Sequence, residues 1–142
     1  MHTTTAPERL RAAGLKVTAP RTAVLEALSG PGHLDAETVL ERVRPTLPTT
    51  SLQAVYGVLA ALTAAGLLRR IEPAGSPALY EGRTGDNHHH LVCTRCHTVV
   101  DVDCVVGEPP CLEPSDAGGF AIHTAEVTFW GLCANCRAEP AA

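Results

Sequence analysis

The chain has 142 residues, of which 45% are hydrophobic, 18% charged and 4% aromatic, which fits one domain, or two small ones, around an aliphatic core. No apolar run approaches the ~20 residues of a membrane span, and the N-terminal MHTTTAPERLRAAG lacks the apolar segment of a signal peptide, so we expect neither a membrane nor a secreted protein. Residues 1–84 hold nine Lys/Arg and seven Asp/Glu, a net charge of +2, whereas residues 85–142 hold two and eight, a net charge of −6, so the two halves are expected to differ in function.

The first half of the chain is predicted to form four helices and a hairpin. Helices are expected over 7–14, 19–29, 36–44 and from Leu52 to Gly66. The fourth is the clearest, because Leu52, Val55, Tyr56, Leu59 and Leu62 recur at helical spacing. Strands are expected over 67–72 and 78–83. This order of elements is typical of a winged helix-turn-helix, and the positive charge of this half favours DNA binding.

Four basic residues are candidate contacts to DNA phosphates. Lys16 lies before the second predicted helix, Arg21 lies in its first turn, and Arg69 and Arg70 lie in the hairpin. The alternative for each is an ordinary solvated surface charge.

The second half changes in composition at residues 85–87. Residues 90–103 are predicted to form two strands joined by a tight turn, and residues 107–119 a loop with at most one short helix. Residues 120–130 alternate in hydrophobicity and are predicted to form a strand.

Two CxxC pairs predict a zinc site. The pairs are Cys93–Cys96 and Cys133–Cys136, with 36 residues between them. Two such turns supply the four thiolates of a tetrahedral Zn²⁺ site, and a closed thiolate shell has a structural rather than a catalytic role. Dithiol redox chemistry is the alternative, but it needs one CxxC beside a βαβ unit, which the pattern lacks.

A second set of residues suits a divalent ion bound by nitrogen and oxygen. His88 and His90 point to the same side of a strand, and Asp101 lies on the return strand. Glu81 and His33 are further candidates from the first half. Such ligands suit Fe²⁺, Mn²⁺ or Zn²⁺. The alternatives are a solvated loop for the histidine run and a surface or capping role for His33.

Several segments together resemble the ferric uptake regulator family over roughly residues 10–137. They are AVYGVLAALTAAGLL, the hairpin ending LYEGR, GDNHHHLVCTRC and EVTFWGLCANC. The stretch from Ser51 to Cys93 and the Asp101-Val-Asp-Cys104 sequence are most similar to the actinobacterial FurA/CatR branch, redox-responsive repressors associated with catalase-peroxidase genes.

The resemblance implies an α+β fold with a winged-helix DNA-binding domain over 1–83, a hinge over 84–87 and an α/β dimerisation domain with the four-cysteine zinc site over 88–142. It also implies a cytoplasmic homodimer that represses genes by metal-dependent binding to an A·T-rich inverted repeat. By position it assigns the regulatory metal site to His33, Glu81, His88, His90 and Asp101, the ligand types that the family's peroxide sensors use. The expected ions are structural Zn²⁺ and regulatory Fe²⁺ or Mn²⁺, for which Zn²⁺ or Ni²⁺ can substitute.

Departures from the family pattern carry further expectations. A further metal site of many members corresponds here to Asn87, His89, Glu108 and Ala125, which include poor ligands, so we expect that site not to form, although His123 offers a rearranged alternative. Residues 79–81 lack the cysteine of zinc-sensing relatives.

Gly57 stands where many relatives have a polar residue on the recognition helix. Ser51, Gln53 and Tyr56 are therefore the expected base or phosphate contacts. Pro-rich 107–119 replaces the usual amphipathic helix of the dimerisation domain.

Cys104 and Cys111 fall outside the two CxxC pairs. They are either small buried apolar residues or a redox pair that senses oxidant through a disulfide.

The leading hypothesis is a peroxide-responsive repressor of an oxidative-defence gene, such as a catalase-peroxidase, with no enzymatic activity and no small-molecule substrate. The alternative is a sensor of Fe, Mn, Zn or Ni supply that does not respond to peroxide. A zinc hydrolase is disfavoured, since neither HExxH nor HxE occurs, and a thiol oxidoreductase is equally disfavoured.

Overall fold

A computed structural model describes residues 3–84, 86, 88–103 and 113–139. The chain divides into two compact units, Met1–Thr84 and Gly85–Ala142. None of the helices in the described ranges is long and apolar enough to cross a membrane.

The first unit is a winged helix-turn-helix, as predicted. Its elements are α1 (Ala6–Ala12), α2 (Ala19–Ala27), β1 (Leu34–Asp35), α3 (Ala36–Val43), α4 (Leu52–Ala64), β2 (Arg69–Ile71) and β3 (Leu79–Glu81). The strands form an antiparallel sheet in the order β1-β3-β2. The predicted helices and hairpin strands are present, with ends that differ by a few residues.

Side chains of Thr, Asp and Ser cap the four helices. The α1 cap is reciprocal: Glu8 N–H donates to Thr5 Oγ1, and Thr5 N–H donates to the Glu8 carboxylate at 2.7 Å. This backbone donor lowers the pKa of Glu8. Thr18, Asp35 and Ser51 cap α2, α3 and α4 in the same way. These local signals explain why the helix starts could be read from the sequence.

The core of the first unit is aliphatic and lies among α1–α4 and the sheet. Leu10, Leu25, Val39, Leu59 and Leu62 are buried within it. On α4, Val55 joins them, whereas Tyr56 is 48% exposed. The prediction that Tyr56 belongs to the apolar stripe of α4 is therefore wrong, because the stripe is narrower than the sequence spacing implied.

Strand β1 was not predicted. It contains two residues, and Leu34 pairs with Tyr80 of β3. A strand this short carries no periodic signal of its own. Its pairing is nevertheless important, because it brings the residue before it, His33, to the end of β3.

Over residues 86, 88–103 and 113–139, the second unit contains a three-stranded sheet and a short helix. The elements are β4 (His88–Cys93), β5 (Val99–Asp103), β6 (Thr128–Gly131) and α5 (Ala134–Ala138). Strand β4 is central, antiparallel to β5 and parallel to β6. Residues 120–127 are not a strand, so that part of the prediction is wrong. The register explains why: His90 pairs with Thr128, so residues 120–125 lie beyond the start of their partner strand.

Strand alternation gives this sheet two different faces. One face carries His88, His90 and Asp101, and Asp101 lies opposite His90 in the register. The other face carries the row Val100, Leu91 and Phe129. These three apolar side chains are each 43–52% exposed.

Candidate metal sites and nucleic-acid surface

The four CxxC cysteines come together in the second unit, with all four sulfur atoms within 4.8 Å of one another. Cys96 Sγ and Cys133 Sγ are 3.7 Å apart. A tetrahedral ion with Zn–S bonds of 2.3 Å requires sulfur–sulfur separations of about 3.8 Å. The cluster therefore fits Zn²⁺, and the four cysteines come together as predicted.

Local hydrogen bonds favour the thiolate form of part of this cluster. The N–H groups of Cys133 and Cys96 donate to Cys93 Sγ and lower the pKa of Cys93 to about 5. The Thr98 hydroxyl, 3.0 Å from Cys96 Sγ, lowers the pKa of Cys96. The neighbouring Cys133 sulfur and burial raise the pKa of Cys136 to about 12, so a bound cation would displace a proton there.

Two polar contacts around the cluster were not foreseen from the sequence. Arg95 Nη1 donates to the Cys136 carbonyl at 3.0 Å, which ties the first cysteine turn to α5. His97 follows that turn with φ of 64°, and its N–H donates to the Cys93 carbonyl. The CxxC spacing indicated the ligands, but it gave no signal for these supporting groups.

In the first unit, His33 and Glu81 form a buried pair. His33 Nε2 lies 2.6 Å from Glu81 Oε2, and the two side chains are 4% and 1% exposed. Arg69 Nε lies 4.0 Å from the other carboxylate oxygen. The pair supplies one nitrogen and one carboxylate donor suited to a divalent cation.

In the second unit, two histidines converge on one carboxylate. The Nε2 atoms of His88 and His90 lie 3.6 Å and 3.4 Å from Asp101 Oδ1. Both rings are buried, and their centroids are 4.9 Å apart. Both distances exceed a direct hydrogen bond, and each leaves room for an ion between the histidine nitrogen and the carboxylate oxygen.

Asp86 also contacts this group, which sequence reasoning missed. Its Oδ1 lies 2.6 Å from His88 Nδ1, the ring nitrogen that faces away from Asp101. The only sequence feature that could have indicated this contact is the position of Asp86, two residues before the predicted ligand His88.

The expected absence of a further metal site stays a prediction, since Asn87 and Glu108 lie outside the described residues. Two observations bear on the remaining candidates. Val127 N–H donates to His89 Nδ1 at 3.3 Å, so that nitrogen already has a partner. His123 Nδ1 lies 2.9 Å from the Thr124 hydroxyl.

The residues predicted to contact bases or phosphates lie on α4 and at its N-cap. Gln53 and Tyr56 are exposed on α4. Ser51 is the N-cap, and its hydroxyl oxygen accepts the Ala54 N–H at 3.1 Å. Ser51 thus has a structural role beside the predicted one.

The four predicted phosphate contacts differ in their surroundings. Lys16 is exposed, while Arg21 Nη1 donates to the Lys16 carbonyl. Arg70 is exposed. A hydrogen bond with Tyr80 raises its pKa, as does the charge of Glu72, with which it pairs at 3.2 Å. Arg69 is turned towards Glu81 instead, with its side chain 20% exposed. Cys104 and Cys111, the predicted redox pair, lie outside the described residues.

Comparison with known proteins identifies the family. The sequence profile of the ferric uptake regulator family matches residues 12–130. The chain belongs to the ferric uptake regulator family. It is 59% identical over 129 residues to the transcriptional regulator FurA of Mycobacterium tuberculosis, covering 91% of this chain and 88% of the relative.

Solved ferric uptake regulators share the fold. The Vibrio cholerae protein matches with a TM-score of 0.67 and 27% identity, covering 89% of this chain and 98% of that one. The Pseudomonas aeruginosa protein, solved with manganese, matches with the same TM-score and identity over 91% and 98%. As a member of this family, the chain is a metal-responsive transcriptional repressor, and its four-cysteine cluster and its histidine and carboxylate groups are candidate metal ligands.

Proposed function

We propose that the protein is a peroxide-responsive repressor that binds an A·T-rich inverted-repeat operator as a homodimer and controls an oxidative-defence gene, such as a catalase-peroxidase. Metal-dependent DNA binding is supported by two groups of candidate ligands, each too small to complete the coordination of the ion alone. His33 and Glu81 belong to the first unit, and His88, His90 and Asp101 belong to the second. Among the residues that the structure describes, each set alone gives two or three ligands, fewer than a six-coordinate Fe²⁺ or Mn²⁺ site takes.

A single ion held by all five residues would join the winged helix to the second unit. Its binding free energy would restrict how the two units are oriented, with residues 84–87 as the hinge. In a dimer this restriction would fix the spacing of the two α4 helices. Metal would then favour the DNA-binding arrangement because it binds that arrangement more tightly than the alternatives.

The first unit supplies the DNA-binding surface in this proposal. Gln53 and Tyr56 on α4 would reach base edges in the major groove, and the α4 N-terminus at Ser51 would lie near a phosphate. Exposed Lys16 and Arg70 and the partly covered Arg21 would contact phosphates. Arg69 fits this role least well, since its guanidinium lies near Glu81.

In this proposal the dimer interface lies in the second unit, within the predicted dimerisation domain of residues 88–142. The row Val100, Leu91 and Phe129 leaves an apolar face open on a sheet whose other face carries the histidines. Exposed apolar patches of this kind mark protein–protein contacts. A second copy of the chain would cover it.

The peroxide response is assigned to the nitrogen and oxygen site. Ferrous iron, when bound, supplies one-electron chemistry with peroxide that oxidises a ligand histidine. Since His88 and His90 are buried beside Asp101, damage to either ring would remove a ligand and weaken metal binding. The protein would act by binding and release of DNA and would have no enzymatic turnover.

Fluorescence anisotropy with a duplex from upstream of the protein's own gene tests the proposal. Zinc-replete protein is titrated anaerobically without added metal, with Mn²⁺ and with Fe²⁺, and peroxide is then added. We expect both ions to tighten binding and peroxide to reverse it only with Fe²⁺, while a scrambled duplex shows neither effect. If the Fe²⁺ sample still binds the duplex after peroxide is added, the peroxide response is wrong and the protein is a sensor of metal supply.

A response to peroxide without any dependence on Fe²⁺ would instead assign sensing to thiols. The double variant Cys104→Ser, Cys111→Ser separates these cases. On the iron-centred proposal it responds to peroxide as the unaltered protein does.

A further inference from the structure

Asp86 makes a short contact to one of the proposed metal ligands. Its Oδ1 lies 2.6 Å from His88 Nδ1, while the carboxylate itself is 40% exposed and the His88 side chain is fully buried. The exposed carboxylate keeps access to water while it orients a buried ring.

This contact determines the tautomer of neutral His88. A carboxylate only accepts hydrogen bonds, so the proton of the neutral ring lies on Nδ1. The other nitrogen, Nε2, then carries the lone pair. It faces Asp101 at 3.6 Å, beyond direct hydrogen-bond distance.

We propose that Asp86 is the positioning residue that holds His88 with its Nε2 lone pair directed at the regulatory metal ion. The inference rests on the proposed function, in which His88 is a metal ligand. The arrangement has the chemistry of a carboxylate–histidine–metal triad: the carboxylate fixes the ring and makes its other nitrogen more basic. Asp101 binds the ion directly, whereas Asp86 acts through His88.

Two substitutions at Asp86 separate charge from geometry. Asp86→Ala removes the acceptor. Asp86→Asn keeps an acceptor oxygen for the Nδ1–H and removes only the negative charge. Asp116→Asn is the matched control, because Asp116 is an exposed aspartate of the same unit whose carboxylate accepts the Gly118 N–H.

The readout is Mn²⁺ affinity of zinc-replete protein, measured from the electron paramagnetic resonance signal of free Mn²⁺. Loss of an outer-shell partner weakens metal affinity by about 10–100-fold. We expect that loss for Asp86→Ala, a smaller loss for Asp86→Asn and none for Asp116→Asn. Nitrogen-15 NMR of the metal-free, zinc-replete protein should show His88 protonated on Nδ1 and should lose that preference in Asp86→Ala.

His88→Ala separates failure of this inference from failure of the proposed function. If His88→Ala weakens Mn²⁺ binding but both Asp86 variants bind as the unaltered protein does, the positioning role is wrong and the ligand set stands. If His88→Ala itself leaves Mn²⁺ affinity unchanged, the proposed ligand set is wrong. Thermal unfolding checks each variant, and Asp86→Asn carries the test if Asp86→Ala does not fold.

Discussion

His33 and Glu81 are 48 positions apart in the sequence, yet His33 Nε2 lies 2.6 Å from Glu81 Oε2 in the first unit. The pairing of Leu34 with Tyr80 produces this contact, because it sets the residue before β1 beside the residue that ends β3. A nitrogen and a carboxylate ligand are thus held together by the wing of the DNA-binding unit itself.

Replacement of His33 by alanine should uncouple metal from DNA binding. Allosteric coupling of this kind typically changes affinity by about 5–150-fold. We expect Mn²⁺ to leave the operator affinity of His33→Ala unchanged. Anisotropy titrations with and without Mn²⁺ measure this affinity, and circular dichroism checks that the fold persists. The control is His123→Ala, which removes an exposed imidazole outside the proposed ligand set. An unchanged metal response in His33→Ala would exclude His33 from the switch.

The helices and the zinc ligands could be predicted because their signals are local. Caps such as Asp35 and Ser51 mark helix starts, and the CxxC spacing is itself the geometry of half a zinc site. Strand β1 forms because Tyr80, far along the chain, is there to pair with it, whereas residues 120–127 are not a strand because, in the described part of the chain, no strand residues lie opposite 120–125. A single sequence does not show which distant segments pair.

Side-chain partners at the candidate site were equally hidden. His88, His90 and Asp101 could be grouped because alternation places them on one face of a sheet. Arg69 is predicted to contact DNA because it is a basic residue of the β2–β3 hairpin. Its position opposite Glu81 in the β2–β3 register turns it towards that carboxylate instead. The sequence shows that Arg69 is charged, but the orientation of its side chain follows only from the pairing of β2 with β3.

Substitution of Cys93 by serine should remove the structural zinc. A serine hydroxyl is a poor replacement for a thiolate in a closed four-sulfur shell, and metal-binding free energy of such sites contributes directly to folding. We expect zinc content to fall from about one ion per chain to near zero, with loss of the dimer or of cooperative unfolding. Elemental analysis and light scattering measure these. Cys111→Ser is the matched control and should retain zinc. A stable Cys93→Ser dimer without zinc would contradict the structural assignment.

Introduction of a charge at Leu91 tests the dimer face. Leu91 is the centre of the apolar row between Val100 and Phe129 and is 43% exposed. Aspartate at this position would be buried without a partner in a dimer that covers the row. We therefore expect Leu91→Asp to be a folded monomer by sedimentation analysis. If Leu91→Asp dimerises as tightly as the unaltered protein, the dimer interface does not include this row.

Removal of the Lys16 charge should reduce the salt dependence of operator binding. Each phosphate contact contributes roughly one unit to the slope of log affinity against log salt. Lys16→Ala removes one phosphate contact from each protomer, so it should lower the slope for a dimer by about two, measured by anisotropy between low and moderate salt. Arg137→Ala, an exposed basic residue of α5, is the control and should keep the full slope. If both variants behave alike, Lys16 does not face DNA.

Gly82 and Gly57 should respond oppositely to alanine. A Cβ at Gly82 would overlap the Leu28 carbonyl oxygen, which is backbone and cannot move aside without repacking. We expect Gly82→Ala to destabilise the protein by about 1–3 kcal/mol. Gly57 lies inside α4 with open space around it, so Gly57→Ala should stabilise the helix by roughly 0.5–1 kcal/mol. Urea unfolding of the zinc-replete protein measures both. A Gly82→Ala variant as stable as the unaltered protein would mean that the backbone at Gly82 does not approach the Leu28 carbonyl closely.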